Sequence, residues 1–351
     1  MTEDKGILIR NVYYMLAYAF QELKQSHFED IAKEDFERIQ DLFAEILYRG
    51  VSAQLKHGLY KEYIDKQDAI SVLRGKLDIN GTIRQRLNRR QIISCEFDEL
   101  SEDNIYNRIL FTTVCTLMKM GNLSTKRKSA LKSLLPFFSS VQSIDASTIR
   151  WSTLTFQRSN RSYRMLMNIC NFILDGMLLT TETGEYKMAS FSDEHMNRLF
   201  ERFVLEYFRV HHKDIKANAE KLDWNIDHNQ KTTQIDFLPS MQTDIVLRKD
   251  GRTLIIDTKY YGKILKSIHE KESISSANMY QIFSYVKNMD NENSGYVSGM
   301  LLYAKTAEDI SKPIDAYFGK NRIIVNTLDL NQEFSIIKQQ LDSFVSILKE
   351  D

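Results

Sequence analysis

Residues 243–261 read TDIVLRKDGRTLIIDTKYY, and they place two acids and a lysine where paired strands would end. Asp257 and Lys259 follow the apolar, β-branched run Thr253–Ile256. Alternate residues of a strand share a face, so these two side chains would stand side by side. Asp244 opens an earlier apolar run, and the Lys249-Asp250-Gly251-Arg252 turn would fold that run back as a hairpin. Two carboxylates on adjacent strands can hold Mg²⁺, a hard cation that prefers oxygen ligands and keeps several waters. The Thr258 carbonyl, between the two side chains, could add a ligand. Lys259 would orient or help deprotonate an attacking water and stabilise charge on a phosphorane-like transition state. These are the parts of a metal-dependent phosphodiesterase. The alternative is a hairpin whose acids are solvated or paired with Lys259. Other acid-x-lysine triplets of the chain, such as Glu185–Lys187, have no comparable setting.

Two helical stretches bear on the choice. In NRLFERFVLEYF (197–208), Phe200, Phe203, Val204, Tyr207 and Phe208 project to one apolar side, with Arg202 and Glu206 on the opposite, polar side. Glu201 falls at the edge of the buried arc, where a carboxylate needs a partner. A metal shared with Asp244 and Asp257 would supply one; a surface position or an arginine partner is the alternative. In NMYQIFSYVK (278–287), Gln281 and Tyr285 lie one turn apart, and Gln281 could position the water or a phosphate.

The elements that must position these residues read as two halves. IRNVYYMLAYAF (9–20) and residues 34–55 have the apolar spacing of buried helices. Tyr13, Tyr14, Tyr18 and Phe20 belong to that core pattern rather than to a base-stacking surface. Residues 59–99, with Gly75 and Gly81 as punctuation, read as short strands of a small sheet or barrel. A helix over 102–120 has Ser101 as its expected N-cap. Residues 136–160 are Ser/Thr/Arg-rich and weakly periodic, which places a boundary near 158 and domains at 1–158 and 159–351. Beyond it come helices at about 161–179 and 193–212, separated by the turn-like TTETGEY. Strands, a helix at 276–289, strands at 298–304 and 322–330, and a terminal amphipathic helix complete the pattern of an α/β layer around a mixed sheet.

Composition bounds the function. The 47 basic and 47 acidic residues cancel, which excludes a protein that coats nucleic acid by bulk charge but not a local basic cleft. Cys95, Cys115 and Cys170 have no CxxC spacing and read as free thiols of a reducing cytosol. The acidic start MTEDKG is wrong for a secretory signal, and 165–179 is too short and polar to span a bilayer. The expected location is cytoplasmic. No GxxxxGK[ST] loop, zinc spacing or G-x-S-x-G elbow is present in the sequence, and the adjacent His211 and His212 would point to different sides of a helix. Arg84, Arg86, Arg89 and Arg90 in IRQRLNRRQ (83–91) form a local basic run, either a phosphate or acidic-surface contact or a solvated turn.

Together, the Glu201 helix, the Asp244 strand, the Asp257–Thr258–Lys259 triplet and the Gln281–Tyr285 helix resemble the PD-(D/E)xK nuclease superfamily. With IRNVYYMLAYAF, LSEDNIYNRIL (100–110), LPSMQTDIVL, LIIDTKYY and NMYQIFSYV, the chain from residue 9 to 287 resembles McrC, the nuclease-subunit family of McrBC-type, 5-methylcytosine-specific restriction systems. The resemblance implies a C-terminal restriction-endonuclease-like domain with a mixed central sheet flanked by helices. It implies an N-terminal helical domain, with its small sheet or barrel, that docks into a hexameric McrB-like AAA+ GTPase ring and stimulates it. The activity implied is Mg²⁺-dependent cleavage of double-stranded DNA by a type IV restriction endonuclease subunit, with GTP on the partner and none on this chain. It assigns Asp244, Asp257 and Lys259 as catalytic acid, acid and lysine, and Glu201 and Gln281 as the more variable helix positions. The usual Pro-Asp pair is absent, since Pro239 lies five residues before Asp244. The rival readings are an adaptor that retains the nuclease fold without cutting, and a free-standing nuclease. Intact Asp244, Asp257 and Lys259 argue against the adaptor.

Overall fold

The computed structural model describes residues 3–4, 7–19, 36, 38–120, 123–158, 160–178, 193–226, 237–260, 265–268, 271–305 and 313–349. Phe20 and the TTETGEY segment lie outside them. The chain forms two compact units, one from residues 43–178 and one from residues 1–42 with 179–351. This division differs from the single boundary near 158 read from the sequence, and two helices explain it.

The first is α1 (Ile9–Ala19), which follows the short ladder of β1 (Glu3–Asp4) and β2 (Ile7–Leu8). Its apolar surface is spent on the C-terminal part of the chain. Tyr18 meets Phe203 edge-on at 5.6 Å, Tyr14 stacks on Phe334 at 4.0 Å, and Asn11 Nδ2 donates to the carbonyls of Leu330 and Gln332. Tyr13 and Tyr18 are core residues, as their spacing predicts.

The inner unit begins in α2 (Ile39–Leu55) and carries a three-stranded antiparallel sheet, β3 (Glu62–Ile70), β4 (Lys76–Asp78) and β5 (Ile93–Ser101), in the order β3-β5-β4. It is an open sheet and not a barrel. Between β4 and β5 lies α3 (Ile79–Leu87), a helix where the sequence suggested only strands; Asp78 caps it by accepting from the Gly81 N–H. Then come α4 (Ile105–Lys119), α5 (Thr125–Lys132) and α6 (Tyr163–Leu178), of which α6 packs on α4 and so stays with this unit. The N-cap of α4 is Asn104 rather than Ser101.

Asn104 and Asn107 account for the LSEDNIYNRIL segment. Asn107 is fully buried, and its Nδ2 donates to the carbonyls of both Tyr60 and Glu102 while its Oδ1 accepts from the Tyr163 hydroxyl. Tyr60 enters the small sheet and Glu102 leaves it, so one side chain ties its two ends together. Asn104 Nδ2 reinforces the Tyr60 end at 2.8 Å.

The other unit continues with α7 (Asp193–His211), β6 (Lys216–Asn218), and β7 (Lys221–Leu222) paired with β8 (Met241–Gln242). Next are β9 (Ile245–Lys249) and β10 (Arg252–Lys259), the hairpin predicted from 243–261, turning at Asp250 and Gly251. Both turn residues have positive φ (49° and 80°), as a tight two-residue hairpin requires. A small hairpin of β11 (Leu265–Ile268) and β12 (Lys271–Ile274) precedes α8 (Ser276–Met289), β13 (Val297–Lys305), β14 (Ile314–Phe318), β15 (Asn321–Asp329) and α9 (Phe334–Phe344). Among the described residues the main sheet has the order β14-β15-β13-β10-β9-β6, with β10, β13 and β15 parallel. Thr253–Thr258 are buried throughout, as a central strand covered on both faces must be. Helix α8 lies close on the sheet because β13 carries Gly299; a Cβ there would sit 2.7 Å from Val286 Cγ2. No helix of the described residues is long and apolar enough to cross a membrane.

Replacing Asn107 with Ala removes the acceptor of the buried Tyr163 hydroxyl and the link between the ends of the small sheet. The expected cost is about 1–3 kcal/mol. Thermal unfolding should show a lower midpoint, and amide exchange should speed up around residues 60–61 and 101–103. Unchanged exchange there would refute the tie.

Candidate functional site

The predicted residues meet where β10 outruns β9. The β9–β10 ladder ends at Ile256 opposite Ile245, so Asp244 lies just beyond it and level with Asp257. Asp244 Oδ2 accepts from both the Thr258 N–H (2.7 Å) and the Thr258 hydroxyl (2.9 Å). Both bonds fall on Oδ2, which leaves Oδ1 for a cation. Alternation brings Asp257 and Lys259 to one face, with Lys259 Nζ 2.7 Å from Asp257 Oδ2.

Asp257 is the most constrained group. Its side chain is 1% exposed, Oδ1 meets no donor among the described residues, and Oδ2 has the ion contact to Lys259 without an aligned hydrogen bond. Burial pushes its pKa up to about 6; the Lys259 charge opposes that rise and the Asp244 charge adds to it. On α7, Glu201 is half-buried and faces the same cluster. Burial first, then the negative charge of Asp244, raises its pKa to about 7, with Lys259 opposing and Asp257 adding. Its place at the edge of the apolar arc is as expected. Glu206 is not where the helical projection put it: it is 5% exposed and paired with Arg209 at 2.7 Å, a partner that makes its burial tolerable.

From α8, Gln281 Nε2 donates to the Tyr285 hydroxyl, and that hydroxyl donates to the Gln242 carbonyl, both at 2.9 Å. Gln242 lies two residues before Asp244, so this chain of bonds connects α8 to the Asp244 strand. Tyr285 has its pKa raised, mainly by burial and further by Asp257 and Asp244, while the Gln281 donation opposes. The sequence missed Asn197, whose Oδ1 accepts from the Tyr260 N–H at 2.8 Å. Its one available signal was its place four residues before Glu201 on α7. His211 and His212 go separate ways, to the Tyr18 hydroxyl and to Asp342.

The donors here are all oxygen. Among the described residues, no three His, Cys, Asp or Glu side chains are gathered tightly enough to enclose a metal ion by themselves. A pair of strand-end carboxylates still suits a hard cation that keeps most of its own waters. The partnerless, buried oxygen of Asp257 is where such an ion fits, because a buried anion without compensation costs several kcal/mol.

Arg84 and Arg86 lie in the last turn of α3 and Arg89 and Arg90 in the turn after it, all exposed and all in the inner unit. The same small sheet and helix expose Tyr63, Val72, Leu73, Ile79 and Leu87, each at 60% or more. Large apolar side chains left in water in one small region of the chain are the material of an interaction surface.

A family model described as the McrBC 5-methylcytosine restriction system component matches residues 3–304. The type IV methyl-directed restriction enzyme EcoKMcrBC of Escherichia coli (strain K12) is 28% identical over 361 residues, covering 99% of this chain and 100% of that protein. Among solved structures, a refined half-complex from a tetradecameric assembly of Thermococcus gammatolerans McrB AAA+ hexamers with bound McrC aligns with a TM-score of 0.58 at 19% identity. That alignment covers 97% of this chain and 76% of the other, and it establishes likeness of fold.

The raised pKa values set a pH dependence. The stability contribution of Asp257 is complete below its ordinary value of 3.8 and is lost as pH rises through about 6; that of Glu201 is lost through about 7. Without divalent cations, the melting temperature should therefore fall between about pH 4 and 7, and Asp257→Asn should flatten the part of that fall below about pH 6 by several degrees. Parallel pH profiles for wild type and variant, measured in chelator, would contradict this.

Proposed function

The chain belongs to the McrBC 5-methylcytosine restriction system component family, and on that premise we propose that it is the DNA-cleaving subunit of such a system. The observation that carries the reading is Asp257: a buried carboxylate with an oxygen that meets no donor among the described residues, beside Lys259 and opposite Asp244. A purely structural ion pair gives no reason to gather Glu201 and Asp244 around an acid that Lys259 only partly compensates. A hydrolytic site does.

In this reading the six-stranded sheet with α7 and α8 is a PD-(D/E)xK nuclease core. Asp244 and Asp257 would hold Mg²⁺, with the Thr258 carbonyl as a further protein donor; Glu201, expected from the sequence to share the ion, does not close a three-carboxylate set with them among the described residues. A bound Mg²⁺ supplies positive charge against the negative charge that develops on the phosphate, and it acidifies water. Lys259 holds the attacking water in line and neutralises charge on the phosphate oxygens. As the water oxygen bonds to phosphorus, the sugar oxygen leaves and one strand of double-stranded DNA is cut. Thr258 keeps Asp244 aimed through its two hydrogen bonds, and Gln281, anchored on Tyr285, orients water or phosphate from the α8 side.

The partner in this proposal is an McrB-like AAA+ GTPase ring, as in the Thermococcus complex, and it supplies the GTP chemistry. The exposed apolar side chains of the small sheet and α3 support docking through the inner unit, with Arg84, Arg86, Arg89 and Arg90 as contacts to acidic or phosphate groups. A cytoplasmic location follows from the same reading and agrees with the free Cys95, Cys115 and Cys170.

The test is cleavage of methylated plasmid by this chain with its ring partner, GTP and Mg²⁺. Asp257→Ala and Lys259→Ala should each lower the rate by at least about 100-fold and leave stimulation of GTP hydrolysis intact. Chelation of Mg²⁺ should abolish cutting. Stimulation without cleavage in wild type would favour the adaptor reading.

A further inference from the structure

Two backbone N–H groups at the end of β10 need acceptors that β9 no longer provides. Pairing with β9 closes at Ile256, while pairing with β13 continues to Lys259 opposite Tyr303. Successive residues of a strand present their N–H groups to alternate edges, so Thr258 and Tyr260 both face the edge that β9 has left. Thr258 is 0% and Tyr260 2% exposed, so water is a poor substitute. An unsatisfied buried amide costs about 1–3 kcal/mol.

Side chains replace the missing strand. Asp244 Oδ2 accepts from Thr258 N at 2.7 Å, and Asn197 Oδ1 accepts from Tyr260 N at 2.8 Å. The two bonds differ in what they connect. Asp244 joins β10 to its own hairpin. Asn197 belongs to α7 and precedes Glu201 by four residues, which puts both on one helix face. Its bond therefore ties the residue directly after Lys259 to the helix that carries Glu201. An asparagine does this without adding a negative charge to a cluster that already holds three carboxylates.

We propose that Asn197 is a positioning residue of the cleavage site, fixing α7 against the end of β10 so that Glu201 and Lys259 address the same phosphate. The inference rests on the nuclease reading above. Loss of the bond lets the helix and strand end shift independently, and a displacement of about 1 Å at a reacting centre can cost on the order of 100-fold in rate.

The experiment compares wild type, Asn197→Ala, Asn197→Asp and Asp257→Ala in cleavage of methylated plasmid with the ring partner, GTP and Mg²⁺. Amide exchange of peptides that contain Tyr260 is measured in parallel. Asn197→Ala should cut about 10–100-fold more slowly at saturating DNA, with half-saturating DNA and GTPase stimulation unchanged and faster exchange at Tyr260. Asn197→Asp keeps an acceptor of the same shape and should recover the protection at Tyr260, while its added negative charge keeps the rate below wild type. Wild-type cutting by Asn197→Ala, or equal losses of protection at Tyr260 in the Ala and Asp variants, would overturn the role of Asn197 and leave the nuclease reading standing. If wild type cuts no better than Asp257→Ala, the nuclease reading fails and the inference with it.

Discussion

The structure of the site depends on one unfavourable arrangement: the Asp257 carboxylate, buried at the end of a central strand with Lys259 as its sole compensating contact among the described residues. It is 1% exposed, and one ammonium contact does not offset the desolvation of an ion in a place where the Asp244 charge adds repulsion. Folds tolerate such a group when a function needs it. The rise of its pKa, and that of Glu201, has the same origin: burial first, and then the neighbouring Asp244 charge, disfavours the ionised carboxylates.

The rest of the C-terminal unit exists to hold that cluster open at one point. A hairpin with an early-ending partner strand exposes the last residues of β10 on one edge. Side chains of Asp244 and Asn197 then close the edge where a strand would have. Helix α8 approaches through the gap left by Gly299, and α7 is backed by α1, brought from the far end of the sequence by aromatic contacts and the Tyr18–His211 hydrogen bond. The N-terminal helix is thus part of the scaffold under Glu201.

Much of the site was legible because its signals are local. Two apolar runs joined by Asp250-Gly251 specify a hairpin, and alternation puts Asp257 beside Lys259 once the strand is granted. The spans of α7, α8, β13 and β15 follow from uninterrupted periodicity. What escaped has physical reasons. Helix α3 buries none of its side chains fully, so no apolar stripe announces it. Strand β14 is an exposed edge, with Ile314, Tyr317 and Phe318 in water, and lacks the alternation of a half-buried strand. Glu206 is buried because Arg209, a turn along, pairs with it. The Asn197–Tyr260 and Asn107–Tyr60 bonds are side-chain to backbone bonds across long sequence separations, which no spacing rule encodes. The placement of α1 and α6 in their respective units is likewise a matter of which apolar faces meet, and both helices read equally well on either side of a boundary.

In the proposed function the strand-end carboxylates are incomplete without a divalent cation. Calorimetric titration of the isolated chain with Mg²⁺ or Mn²⁺ near pH 6.5, repeated in buffers of different ionisation enthalpy, tests it most directly. Near that pH Glu201 holds most of a proton and Asp257 a minor fraction of one, so binding should release protons, and the release should shrink toward pH 8 and, by a smaller amount, in Asp257→Asn. Binding with no proton release, or equal binding by wild type and Asp257→Asn, would contradict the account.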